Sequence, residues 1–476
     1  MQQHSAGGGA PAVTYSLATR RIVLIVSTMS AFITPFLVSS VNIALPTIGK
    51  EFALDAITMS WIVTAYLLAA AIFLVPFGRI ADIYGRKKIY MIGTLVITTS
   101  SFLAAHANSS VMLISARLLE GLGAAMFFGT GMAILISVYP LQERGRVIGI
   151  NVAGTYLGLS LGPFIGGWLT NSFGWRSIFM IIVPIGIIIL ALLFWRVTGE
   201  WSDAKGERFD LGGSLLYSVA ILAVMYGFSQ LPAMAGFILI LAGIILLALF
   251  IAWELRSDFP VLNMKLFRSN IAFTFSNLAA LINYSATYAL TFLLSLYLQY
   301  IKGFNAQHAG YILIFQPVMM FLFSPFAGRL SDRVEPRLVA SLGMGLTAIG
   351  LAMLVLLDSS TALTYIIGSL VLLGVGFALF SSPNTNAVMS SVSKRFYGVA
   401  SGTLSTMRLT GQMLSMGIVT MIMALFIGKN MITPENFIMF IKSIKMAFTV
   451  FAILCALGVL ASLARGRVHT EEPGQG

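Results

Sequence analysis

Three ionisable side chains stand inside long apolar runs of this 476-residue chain: Arg117, Glu120 and Arg408. A charge at the centre of a bilayer costs about 2.5–3.5 kcal/mol on insertion scales, so each must find a partner or water. Arg117 and Glu120 are three apart in the run Arg-Leu-Leu-Glu-Gly-Leu-Gly-Ala-Ala. On a helix that spacing makes them neighbours on one face. Desolvation favours a protonated carboxyl and the adjacent cation favours a carboxylate, so an arriving solute can tip the balance. Glu120, with Arg117, is therefore the candidate proton-coupling group; a self-neutralising structural pair is the plainer alternative. Arg408, in Arg-Leu-Thr-Gly-Gln, can meet an anionic solute or brace a helix end. Asn42, Trp61, Tyr66, Asn277, Asn283, Tyr284, Tyr288, Gln316, Asn384, Asn386 and Gln412 add polar or aromatic groups that could line a central cavity. Any one of them taken singly is more ordinarily an interhelical packing or hydrogen-bonding residue.

The elements that must position these groups are membrane helices. Hydrophobic residues make up 58% of the chain, charged residues only 10%, and the mean hydropathy is +0.91. Soluble domains have an apolar share of roughly 45–50%. Fourteen apolar segments, running from residues 22–45 to 443–463, each approach or exceed the roughly 20 residues that cross a bilayer. The expected fold class is thus an all-α integral membrane protein.

The formal charge of +12 does not indicate nucleic acid, because most of the 29 Lys and Arg residues fall in short segments on one side of the membrane. That asymmetry places both termini in the cytoplasm of a multi-pass cell-membrane protein. The first residues, with Gly7–Gly9 and Pro11, read as a disordered tail, leaving the first helix as the targeting signal. A lone Cys455 and four scattered histidines (His4, His106, His308, His469) argue against metal and redox chemistry. No Gly-x-x-x-x-Gly-Lys-Ser/Thr run supplies a nucleotide site. The expectation is a protein that is no enzyme and needs no cofactor, with energy, if used, drawn from a gradient or a partner.

Two hinge-like loops share one design. Residues 78–88 read Gly-Arg-Ile-Ala-Asp-Ile-Tyr-Gly-Arg-Lys-Lys, and residues 328–337 read Gly-Arg-Leu-Ser-Asp-Arg-Val-Glu-Pro-Arg. A solvated basic turn explains Lys87 and Lys88. It leaves out Asp82 at the membrane boundary, where it can pair with Arg86 while Gly78 and Gly85 permit tight turns. Gly328, Asp332 and Arg333 repeat the pattern, with Glu335 where a second glycine would be expected. In the fifth segment Gly154, Gly158, Gly162 and Gly166 recur every four residues, with Pro163 and Gly167 beside them. Small residues on one face let a neighbouring helix approach at backbone distance, and proline permits a bend.

These loops, the Gly158-x-x-x-Gly162-Pro163-x-x-Gly166-Gly167 run and the fourteen segments together resemble the major facilitator superfamily, specifically its 14-helix drug:proton antiporter branch. The resemblance spans nearly the whole chain. It implies two six-helix bundles, residues 22–198 and 263–464, each of inverted three-helix repeats, with an inserted hairpin (helices 7 and 8) in residues 199–262 and cytoplasmic tails at 1–21 and 465–476. It also implies that the first loop latches the bundles together on the cytoplasmic side, and that the fifth helix carries the antiporter-type motif. One position departs from the pattern. Segment 1 ends Ser39-Ser40-Val41-Asn42-Ile43-Ala44-Leu45-Pro46, with Leu37 where the branch has its proton-carrying aspartate. Glu120, at a place where the family usually has glutamine, is the candidate replacement.

The resulting expectation is an exporter of amphiphilic or lipophilic, cationic drug-like molecules, exchanging them for protons by alternating access, and acting as a monomer among membrane lipids. A proton-independent uniporter, a carrier of lipids or anionic amphiphiles, and a non-transporting membrane sensor or scaffold stay open beside it.

Overall fold

The computed structural model describes residues 16–197, 199–202, 204–257, 260–262, 264–392 and 397–466, and among them every regular element is helical. The tails expected at either end, apart from residues 16–21 and 465–466, lie outside the described residues. Backbone N–H and C=O groups left unbonded in hydrocarbon cost several kcal/mol each, so only structures that bond internally can cross it. Fourteen helices are long and apolar enough to do so. They are helix 1, Leu17–Glu51; helix 2, Ala56–Tyr84; helix 3, Arg86–Ala105; helix 4, Ser110–Val138; helix 5, Arg146–Phe173; helix 6, Arg176–Arg196; helix 7, Leu211–Gln230; and helix 8, Met234–Arg256. Then come helix 9, Ile271–Ile301; helix 10, Ala306–Ser331; helix 11, Pro336–Val355; helix 12, Leu363–Ser390; helix 13, Val399–Phe426; and helix 14, Pro434–Ala464.

Neighbour relations repeat between the halves. Helix 1 packs on 5, 2 on 4, 3 on 4 and 3 on 6; in the second half 9 packs on 13, 10 on 12, 11 on 12 and 11 on 14. The fold is two six-helix bundles plus an inserted hairpin. Helix 7 of that hairpin packs against helix 2 of the first bundle and helix 13 of the second. Its Tyr217 hydroxyl donates to the Ala71 carbonyl at 3.1 Å. Helix 8 lies outside it and turns Phe237, Leu241, Ile245 and Leu249 outward, as a lipid-facing helix should.

The glycine row of helix 5 sets a close contact with helix 1. A Cβ at Gly154 would lie 2.8 Å from Thr28 Cγ2 on helix 1, and one at Gly166 would lie 2.6 Å from Ser40 Cβ. At Gly158 it would run into the Phe32 carbonyl oxygen, and at Gly162 into the Ser39 hydroxyl. With backbones this close, the Ser40 hydroxyl donates to the Gly162 carbonyl at 2.9 Å. Gly167, on another face, abuts Ala306 of helix 10, and Pro163 meets Gly310 there.

The hydrogen bonds that join the two bundles among the described residues gather at the end opposite the termini. Ser295 donates to the Asn42 carbonyl at 2.7 Å, Gln299 to the Ile43 carbonyl at 2.9 Å, and Ser60 shares a 2.9 Å bond with Thr420. Helix 9 is interrupted just before this seal, at Tyr288 and Ala289. The Ala289 N–H freed by the break donates to Ser415 Oγ of helix 13 at 3.1 Å.

These contacts give a direct test of the helix 1–helix 5 interface. Gly158→Leu should lower stability by about 1–3 kcal/mol or prevent folding, because the backbone opposite cannot yield. Gly149→Leu, where a Cβ meets nothing within 4 Å, should leave the melting temperature of the purified protein unchanged. Equal melting of both variants and the parent would contradict this packing.

Candidate functional site

Helix 4 brings Arg117 and Glu120 to one face, as a three-residue separation on a helix requires. Both side chains have zero exposure and form an ion pair. Each end of the pair is further held: Ser101 of helix 3 donates to Glu120 Oε1 at 2.7 Å, and Arg117 Nε donates to the Ile62 carbonyl of helix 2 at 3.2 Å. The guanidinium carbon lies 4.5 Å from the centre of the Tyr66 ring, within cation–π range. The pair thus sits inside the first bundle, among helices 2, 3 and 4, and not on its lipid-facing rim.

One side of this cluster looks toward the second bundle. Arg117 acts electrostatically on the hydroxyls of both Tyr66 and Tyr288, the latter at the break in helix 9. Arg117 Nη2 and both hydroxyls are buried without a hydrogen-bond partner; Thr34 is near Tyr66 but outside bonding geometry. Buried polar atoms are nearly always bonded, so three unsatisfied ones at one place between the bundles mark a spot suited to a polar visitor. The Ser60–Thr420 seal lies less than two helical turns along helix 2 from Tyr66.

The remaining sequence candidates divide. Arg408 of helix 13 lies 5.6 Å from the Tyr284 ring centre, its Nη2 donates to Thr385 Oγ1 at 2.6 Å, and its Nε is unsatisfied. Gln412 stands one turn along the same helix, half-buried, and Gln316 is buried on helix 10. Asn283 is fully buried with both amide atoms unbonded, and the Oδ1 atoms of Asn42 and Asn277 are also unbonded. Asn384 and Asn386 are held elsewhere, inside the second bundle. Asn384 donates to the Ser276 carbonyl at 3.1 Å and accepts from Arg465 at 3.1 Å, while Asn386 donates to Ser331 at 3.1 Å. Trp61 is half-buried against the core of the first bundle.

At the termini end, Asp82 Oδ1 accepts from Arg86 at 2.7 Å, and Arg86 reaches Ser137 of helix 4 at 3.4 Å. The rest of this loop is clasped by the connector leading to the hairpin. Arg79 pairs with Glu207, the Lys87 N–H donates to Glu200 at 2.7 Å, and the Arg86 N–H donates to the Trp201 carbonyl at 2.8 Å. Gly85 takes a φ of +121°, open to glycine without strain, and a Cβ there would strike the Glu200 carboxyl. Gly78 faces open space. The first loop, expected to latch bundle to bundle, here has partners on its own bundle and the connector. In the second loop a Cβ on Gly328 would lie 3.0 Å from Ser382 Oγ, Arg333 is exposed, and the Asp332 side chain lies outside the described residues.

Sequence reasoning missed Ser101, Thr385 and Arg465. Arg465, just past helix 14, is 1% exposed and bonded to Ser462, Ser276 and Asn384, and burial lowers its guanidinium to about 10. Its place beyond the last apolar residue gave it the look of a positive-inside surface charge. Ser101 is one hydroxyl of a Thr-Thr-Ser-Ser run, and nothing in that run says which one crosses to Glu120.

Comparison with known proteins agrees with this architecture. The family model described as "Major Facilitator Superfamily" matches residues 28–415 and 276–476. The riboflavin transporter RibZ of Clostridioides difficile is 30% identical over 93% of this chain and 96% of its own. The methylenomycin A resistance protein of Streptomyces coelicolor is 30% identical over 80% of this chain and 82% of its own. The cephamycin export protein CmcT of Amycolatopsis lactamdurans is 29% identical, covering 84% of each. Among solved structures, a bacterial homolog of the human lysosomal transporter Spinster, inward-facing and unoccupied, superposes with a TM-score of 0.68 at 16% identity, covering 94% of this chain and 98% of that one. This chain belongs to the major facilitator superfamily of membrane transporters.

Proposed function

We propose that the chain carries amphiphilic or lipophilic organic molecules, cationic ones foremost, out of the cell in exchange for protons. The observation that carries this reading is the sealed Arg117–Glu120 pair with Tyr66 and Tyr288 between the bundles, just beneath the end where described residues bond the bundles together. A carboxyl in that place can hold a proton when a cationic solute is absent and give it up when one arrives. Relatives named for methylenomycin A resistance and cephamycin export support drug-like cargo. With the termini cytoplasmic, the bonded seal faces outward, so rocking of the bundles about the pair would deliver alternating access. On this reading the chain works as a monomer among membrane lipids, in the cell membrane.

A second reading, uptake or exchange of a planar heteroaromatic solute, draws on the riboflavin transporter that aligns with almost the full length. Tyr66, Tyr284 and Tyr288 offer ring faces, and the unbonded amide of Asn283 offers hydrogen bonds, both suited to such a solute. Leu37, in place of an aspartate, favours uniport in that case.

Reconstitution into proteoliposomes with an imposed pH gradient separates these readings, with ethidium and riboflavin as cargo. Ethidium movement driven by the gradient, and lost in Glu120→Gln while ethidium binding persists, is the expected result. Riboflavin movement indifferent to the gradient would replace the antiport reading with the uniport one.

The pair also carries a stability prediction. Arg117→Ala leaves a buried carboxylate without its cation and should cost about 3–5 kcal/mol. The double variant Arg117→Ala/Glu120→Gln should recover part of that loss in detergent melting curves. Strictly additive losses would mean the two groups do not stabilise each other.

A further inference from the structure

An apolar groove opens sideways between the first bundle's helices, away from the site just described. Leu24, Ile25 and Phe32 of helix 1, Ile150 and Leu157 of helix 5 and Ile185 of helix 6 line it, enclosing about 480 Å³. Gly154 and Thr28, packed against each other, form part of its floor. Ile25, Ile150 and Leu157 are exposed, so the groove is open to the surroundings of the helices. From Leu24 to Phe32 it runs about 12 Å at 1.5 Å per residue, against the roughly 15 Å of one leaflet's hydrocarbon.

Charge fixes what fills it. Four residues before Leu24 stands Arg20, followed by Arg21, and four before Ile150 stands Arg146, with Arg144 close by. Arg20, Arg21 and Arg146 all act on the Tyr139 phenol, which ties the ends of helices 1, 4 and 5 into one patch. Glu143 is the carboxylate here, 3.8 Å from Arg20 Nη1. Arg144 Nε donates to the Tyr139 carbonyl at 3.1 Å, and the Tyr139 hydroxyl donates to the Arg20 carbonyl at 2.9 Å. Arg21 and Arg146 are exposed at the mouth. An apolar slot of acyl-chain length beneath a net cationic rim complements one molecule of the bilayer. We propose that this groove binds an anionic glycerophospholipid of the leaflet on the side of the termini, with one acyl chain between helices 1, 5 and 6 and the phosphate at Arg21 and Arg146.

The inference stands whatever the transported solute. It is tested by native mass spectrometry of the full-length protein titrated with phosphatidylglycerol or phosphatidylcholine. The parent should bind phosphatidylglycerol about tenfold more tightly, given the pull of basic residues near the membrane surface on anionic lipid. Arg21→Glu/Arg146→Glu should abolish that preference, whereas Arg256→Glu, exposed on helix 8, should keep it. Ile150→Trp, which plugs the groove at an exposed position, should lower occupancy by either lipid by about fivefold at unchanged melting temperature. Equal affinity of the parent for the two lipids, a preference that survives the double arginine reversal, or undiminished occupancy in Ile150→Trp would each overturn the assignment. Should Ile150→Trp melt early, Leu157→Trp at the other end of the groove takes its place under the same criteria.

Discussion

A polar atom in hydrocarbon must have a partner, and most of this structure follows from that constraint. Hydroxyls within the helices return to their own backbone: Thr94 donates to the Tyr90 carbonyl at 2.8 Å and Thr98 to the Thr94 carbonyl at 2.7 Å. Where glycines bring two backbones together, a hydroxyl crosses instead, as Ser40 does to Gly162. Arg117 and Glu120 neutralise each other and take Ser101 and the Ile62 carbonyl as further partners. Other buried polar atoms lack partners too, but those of Arg117, Tyr66 and Tyr288 fall together. They lie at the boundary between bundles, the one interior surface that a moving transporter must rewet.

The interfaces within and between the bundles differ in make-up. Within the first bundle, helices 1 and 5 touch over four successive turns with no room for a methyl group, so their separation would open a long void. Between the bundles, a few neutral hydrogen bonds, each worth a net of about 0.5–1.5 kcal/mol, accompany the close packing of Pro163 and Gly167 on helix 10 at the same end. Breaking several of these and remaking others at the opposite end is within reach of the binding energy of a solute.

Much of the fold was legible in the sequence because hydropathy and length alone specify a membrane helix, and the fourteen segments recur as fourteen helices. The proximity of Arg117 to Glu120 was legible too, since spacing along one helix fixes it. Contacts across helices were not. The break at Tyr288 and Ala289 carries no glycine or proline to announce it, and it persists because Ser415, far away in sequence, captures the freed N–H. Asn384 and Asn386 looked like cavity residues by type, but partners on helices 9, 10 and 14 hold them within their own bundle. Arg465 was hidden for the opposite reason: a terminal arginine is ordinarily solvated, and only the packed ends of helices 9, 12 and 14 enclose this one.

The connector to the hairpin changes how the first loop must work. In a chain of two bundles alone, the cations of such a loop would be free for the opposite bundle whenever that end closed. Here Glu207 and Glu200 already occupy Arg79 and the Lys87 backbone, and the Asp82 carbonyl accepts from Ala204 at 3.0 Å. The connector therefore binds the hairpin to the first bundle, while helix 7 also packs on helix 13 of the second, where Phe228 lies 2.9 Å from the Cβ position of Gly417. The contact with helix 13, apolar except where Tyr217 meets Thr410, can slide at lower cost, since dispersion is non-directional. The charged and backbone contacts at the connector cannot, because their geometry is specific. Helix 7 thus flanks the contact between helices 2 and 13, held to the first bundle by directional bonds and to the second chiefly by packing.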